Sequence, residues 1–280
     1  MIDIRETLRG RHASDTEAVA LRALALRPEV PAAELMRSQL KSGAWSAFPA
    51  AGPPNAYHTS LALLALRSHE RSRRVIDCAE RAFAWLDSLE GAENHWLWKW
   101  KFRYFDQEVR FDPVKSGWPW VRSTVSWVAP TAMALLAYQA WNRQSPRLLA
   151  AVEMLRDRAC SGGGWNAGNS IVFDVALDPH PDFTAMALLA LRPFTAASNA
   201  VEGKGTAYLA RCVASLASPY SLAWATVALT AYDHLDAVSC RHRLAERLTD
   251  EGVDRLPVGI LALSALALEM PPFTFQGTRV

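Results

Sequence analysis

The sequence predicts an all-α protein built as a closed double ring, an (α/α)6 arrangement of six inner and about six outer helices. Three observations carry this. An Ala/Leu-rich helix recurs as TEAVALRALAL from Thr16, HTSLALLALR from His58, PTAMALLAYQAW from Pro130 and FTAMALLALR from Phe183, with weaker copies SLAWATVALTAY from Ser221 and PVGILALSALALE from Pro257. These helices have no polar face, and a helix that is apolar all round is buried on every side. Between them lie segments that mix apolar and charged residues at helical spacing. The last repeat is as apolar as the others, whereas an open solenoid needs polar caps at both ends. Closure of the last repeat onto the first is therefore expected.

Each covering helix follows an inner one. Residues 30–41, 70–90, 145–160, 203–216 and 235–249 carry the amphipathic pattern. In 70–90, Val75, Cys78, Ala79, Phe83, Leu86 and Leu89 share one side, and Arg71, Arg73, Arg74, Glu80 and Asp87 point elsewhere. An insertion at about 91–127 breaks the series. There Trp96, Trp98, Trp100, Phe102 and Tyr104 alternate with Leu97, Lys99, Lys101, Arg103 and Phe105. Alternation with period two predicts an extended strand, a turn at Asp106-Gln107 and a return strand from Val109 to Phe111. The aromatic face would either cover the mouth of the ring and stabilise an apolar or cationic ligand, or pack on the outer helices. Lys99, Lys101 and Arg103 would suit a phosphate or a membrane surface.

Composition bounds the function. The chain has 280 residues, half of them apolar, and no linker, so one domain is expected over 1–280. A net charge of +2 is too small to argue for nucleic acid. The start, MIDIRETLRGRH, lacks the apolar core of a signal peptide, and the apolar stretch Leu256 to Leu268 is too short to span a bilayer. Cys78, Cys160, Cys212 and Cys240 are scattered, as reduced thiols packed among helices would be. A cytoplasmic location is expected, with peripheral membrane contact left open. No cofactor is expected. GGGW at 162–165 lacks the Lys-Ser/Thr of a phosphate loop, and no nucleophile elbow, His-Glu-x-x-His or dinucleotide fingerprint occurs.

The ring itself predicts a site. Parallel inner helices gather their amino ends on one rim, with unpaired N–H groups and partial positive charge. The residues there are polar or aromatic: His12, Ser14 and Asp15; Tyr57 and His58; Trp127; His180 and Asp182; Tyr220 and Ser221; Asp254 and Arg255. Polar groups above an apolar well suit a small molecule, and clustered helix starts suit an anion such as a diphosphate. Asp15, Tyr57, His58, Trp118, Trp120, Trp127, Trp165, Tyr220 and Trp224 are the expected ligand contacts. Ser14, Asp15 and Asp182 also read as helix caps, and His58 as a core histidine.

The junctions add a resemblance. Gln39 precedes Gly43 and Trp45 in SQLKSGAW, WLDSLEG spans 85–91, SGWPW contains Gly117, Trp118 and Trp120, and CSGGGWN ends on Gly164, Trp165 and Asn166. This pattern resembles the Gln-Trp repeat of squalene–hopene cyclases. Nearly the full length resembles the terpenoid cyclase/protein prenyltransferase α/α-toroid superfamily. Residues 106–131 are similar to bacterial prenyltransferase/squalene-cyclase-repeat proteins. The resemblance implies an apolar central cavity holding an isoprenoid, and a cyclase or isomerase acting by protonation. In the cyclase Asp-x-Asp-Asp-Thr motif the middle Asp is the acid. The matching stretch is His180-Pro181-Asp182-Phe183-Thr184, where only the middle acid and the Thr survive. The resemblance thus makes Asp182 the acid, and His180 stands close enough to support its anion. The zinc set of prenyltransferases has no counterpart. Asp77-Cys78 and Cys240-Arg241-His242 lie on expected outer helices, so no metal is expected. Two alternatives stay open: a non-catalytic toroid holding a lipid or peptide, and a carbohydrate-active enzyme using Asp15 and Asp182.

Overall fold

The computed structural model describes residues 4–29, 33–49, 51–69, 72–105, 111–194, 200–269 and Phe275. The fold is all-α. Its helices are α1 (Ile4–Arg9), α2 (Thr16–Ala25), α3 (Ala33–Ser38), α4 (Ala56–Arg67), α5 (Arg73–Ser88), α6 (Trp96–Tyr104) and α7 (Val128–Ala140). They continue with α8 (Leu148–Asp157), α9 (Pro181–Leu191), α10 (Ala200–Cys212), α11 (Pro219–Ala231), α12 (Ala237–Glu251) and α13 (Val258–Ala267). A two-stranded ladder pairs Ile171–Val172 with Val175–Ala176.

The six Ala/Leu copies form α2, α4, α7, α9, α11 and α13. Each packs on the next, and α13 packs on α2, so the succession of contacts returns to its start. Most residues of these helices are buried. Their small alanines allow close approach, and burial of the leucines stabilises by about 1.5–3 kcal/mol per side chain. The amphipathic segments form α3, α5, α8, α10 and α12, which cover α2, α4, α7, α9 and α11 in turn. The sixth cover is α1, which packs on α13 and lies in a segment that the sequence pattern did not mark as a helix. Arg11 joins the first and last repeats by donating to the carbonyls of Asp254 and Leu256, at 3.0 Å each.

Neighbouring inner helices run the same way. At their carboxyl ends Arg67 donates to the Ala140 carbonyl at 2.9 Å, Gln139 to the Ala190 carbonyl at 2.8 Å, and Arg27 pairs with Glu269 at 2.9 Å. At their amino ends Tyr57 and Tyr220 both reach Glu17, and Ser221 reaches Asp182. Starts meet starts and ends meet ends.

A threefold clamp fixes the junctions. The indole N–H of Trp45 donates to the Leu35 carbonyl, that of Trp118 to Leu86 and that of Trp165 to Leu155, each acceptor lying on the preceding outer helix. The backbone N–H of each Trp donates at 2.9 Å to a threonine hydroxyl on the following inner helix: Thr59, Thr131 and Thr184. Gly43 and Gly163, two residues before Trp45 and Trp165, hold φ of +91° and +94°. That left-handed region is open to glycine at little cost.

The insertion departs from its expected form. Residues 96–104 are the helix α6, not a strand. Alternation specifies a strand only where a sheet partner buries one face. Here α6 packs chiefly on the 3-10 turn at 92–94, and Trp, Leu, Lys and Arg are all acceptable helix residues. The expected turn at Asp106-Gln107, and the return strand except Phe111, lie outside the described residues. The side chains of Lys99, Phe102 and Arg103 do so as well.

Candidate functional site at the amino-terminal mouth

Hydrogen bonds bring the second residues of α2, α4 and α11 together, and the second residue of every inner helix holds the same register position. These residues are Glu17, Tyr57, Ala129, Asp182, Tyr220 and Gly259. Two acids, two phenols and two small residues make this layer unlike the Ala/Leu walls below it.

Glu17 is its hub. The Tyr57 hydroxyl donates to Glu17 Oε1 at 3.0 Å from α4, and the Tyr220 hydroxyl donates to the same oxygen at 3.1 Å from α11. Among the described residues, both hydrogen bonds to the Glu17 carboxyl fall on Oε1 and none on Oε2. Burial pushes the Glu17 carboxyl above the usual glutamate range, while the two phenols pull it back. Tyr57 is held well above the ordinary phenol value, chiefly by burial. Trp120 packs on the Tyr57 ring at 5.3 Å, and His58 meets it edge-on at 5.2 Å.

Beside the hub lies a cavity of about 360 Å³ whose lining includes His12, Asp15, Glu17, Tyr220, Val258 and Ile260. Asp15 caps α2, its carboxylate accepting the Ala18 N–H at 2.8 Å, and it also faces this cavity. Burial drives His58 down to about 4, with Asp15 opposing, and its Nδ1 is buried without a partner. Trp224 is buried beneath Tyr220 and stacks on Phe275 at 5.4 Å.

Asp182 is placed differently from the expected cap. His180 holds the cap position of α9, and Asp182 is the second helical residue. Its carboxylate accepts the Ser221 hydroxyl at 2.9 Å. His180 stands edge-on to Phe183 at 5.9 Å and makes no hydrogen bond to Asp182, so the expected His180–Asp182 pair does not form. Thr184, the other survivor of the acid motif, has a structural partner in Trp165. Trp118 and Trp165 are wholly buried and bonded in the wall, which removes them from the expected ligand contacts. Trp127 occupies the cap position of α7 and packs near Gly168.

The layer carries the carboxyl groups of Glu17 and Asp182, with Asp15 at the cap before Glu17, and carboxyl groups do not favour an anion such as the expected diphosphate. Glu17 was missed because a first-turn acid is an ordinary helix feature. The signal that marks it is the register shared with Asp182, two places after the cap. Among the described residues, no group of three or more His, Cys, Asp or Glu side chains is placed to hold a metal ion. Also among these residues, no helix is long and apolar enough to cross a membrane.

No family model matches the chain. No curated protein matches it. Among solved structures, haptocorrin in complex with Cbi is similar at 14% sequence identity and a TM-score of 0.49; the match covers 97% of this chain and 66% of that chain.

Proposed function

We propose that the chain is an α/α toroid whose amino-terminal mouth binds an apolar small molecule of the isoprenoid class through one uncharged polar end. The returning series of inner-helix contacts supports the toroid. One observation carries the binding reading: two phenols from separate helices fix Glu17 Oε1 beside a cavity, and no other described residue bonds the carboxyl. A carboxyl held this way is preorganised for a ligand hydroxyl, and its raised pKa favours the neutral form over an ordinary glutamate. The acidic layer selects against diphosphates and for alcohols.

A catalytic reading adds proton transfer by Asp182. The Ser221 hydroxyl that donates to it would stabilise its anion, which is what an acid that protonates an alkene requires. Glu17 suits that step less well, because a raised pKa makes a weaker acid.

Titration of the protein with farnesol, geranylgeraniol, squalene and farnesyl diphosphate, followed by mass spectrometry of the mixtures, tests both. Alcohols are expected to bind best, and Glu17→Gln to weaken them by about fivefold, the worth of one hydrogen bond. Failure of all four to bind would overturn the isoprenoid reading. New products lost in Asp182→Asn would establish the catalytic one, and conversion unchanged by that substitution would exclude Asp182.

A further inference from the structure

The helix α6 is apolar on its outside. Trp96, Trp100 and Tyr104 repeat at intervals of four and are 69%, 54% and 61% exposed, with Leu97 beside them and Phe105 67% exposed at the carboxyl end. The rings form a surface cluster, Trp100 lying 4.7 Å from Phe105 and 6.4 Å from Tyr104. A contiguous aromatic patch in water is costly and marks a contact surface. Its charge is one-sided: the helix contains Lys99, Lys101 and Arg103 and no acid. The Lys101 ammonium sits over the Trp98 ring at 4.8 Å, so this cation is carried on the aromatic surface itself.

We propose that α6 docks the protein on an anionic lipid surface. Trp and Tyr favour the boundary between headgroups and acyl chains, where ring bodies enter the apolar phase and N–H and O–H groups stay wet. Basic residues on the same helix add attraction to anionic headgroups. The complementarity favours lipid over a second copy of this chain, since two such helices would set their positive charges together. This inference does not depend on what fills the mouth.

Co-sedimentation of the full chain with phosphatidylcholine vesicles, with and without phosphatidylglycerol, tests the proposal. Binding is expected to the phosphatidylglycerol vesicles and to fall as salt rises. The triple variant Trp96→Ser, Trp100→Ser, Tyr104→Ser should lose binding at least tenfold, with its far-UV circular dichroism and Tm kept because these side chains are outside the core. Lys101→Glu should weaken binding by about fivefold or more, as expected for charge near an anionic membrane. Wild type left in the supernatant would overturn the proposal. So would a triple variant that binds normally, or one whose effect is to turn a dimer into a monomer in light scattering.

Discussion

Thr184 Oγ1 accepts the backbone N–H of Trp165 at 2.9 Å and returns its own proton to the Trp165 carbonyl at 3.2 Å. Thr59 with Trp45 and Thr131 with Trp118 repeat the exchange. Substitution by Val keeps the shape and strands a buried N–H. Each of Thr59→Val, Thr131→Val and Thr184→Val should cost about 1–3 kcal/mol in urea unfolding. A silent Thr184→Val beside two costly partners would contradict the exchange at the third junction.

Glycine geometry makes a second prediction. A Cβ at Gly43 would stand 2.5 Å from the Arg81 carbonyl oxygen, and one at Gly163 would stand 2.6 Å from that of Lys204. Both contacts are with backbone, so neither neighbour can step aside cheaply. Gly52 has a similar φ of +89° but nothing within 4 Å. Gly52→Ala should cost about 1–2 kcal/mol, the left-handed penalty alone. Gly43→Ala and Gly163→Ala should each lower Tm clearly further.

His58 gives stability a pH dependence. Its folded value of about 4 lies below the ordinary 6.5, so the native state resists the proton that the unfolded chain accepts. Its contribution is whole above pH 6.5 and is lost as pH falls toward 4, on the order of 3 kcal/mol. His58→Gln should flatten that part of the pH–stability curve. NMR titration of the imidazole with a midpoint near 6.5 would contradict the assignment.

Glu17 acts in the opposite sense. Its folded pKa is raised, so its contribution is present below the unfolded value and lost as pH climbs through the folded one. Glu17→Gln should gain stability over wild type near neutrality and lose that gain in acid. Denaturant midpoints across pH check the crossing.

The helical plan was legible because it is written in local pattern. An inner helix such as 128–140 has no charged residue and no polar face, and burial follows from that alone. The clamp was partly legible, since Gly-x-Trp spacing marks the junction while Thr59, Thr131 and Thr184 become its partners only in three dimensions. The mouth was legible by class: Tyr57, His58 and Tyr220 stand at helix starts in the sequence. Its hub was not, because Glu17 gains meaning from phenols 40 and 203 residues away. The insertion misled for a related reason. Its alternation of rings and charges describes what each residue is, and no neighbouring strand exists among the described residues to make that alternation count.

The packing of α13 on α2 has a mechanical consequence. A linear stack can fray, its outermost repeat peeling away while the rest stays intact. Here no greasy helix is outermost, and pulling any one loose bares two others at once. Such a chain should melt in a single step, with amide protection as strong in α2 as in α9, and a nick at any repeat should be felt at all of them.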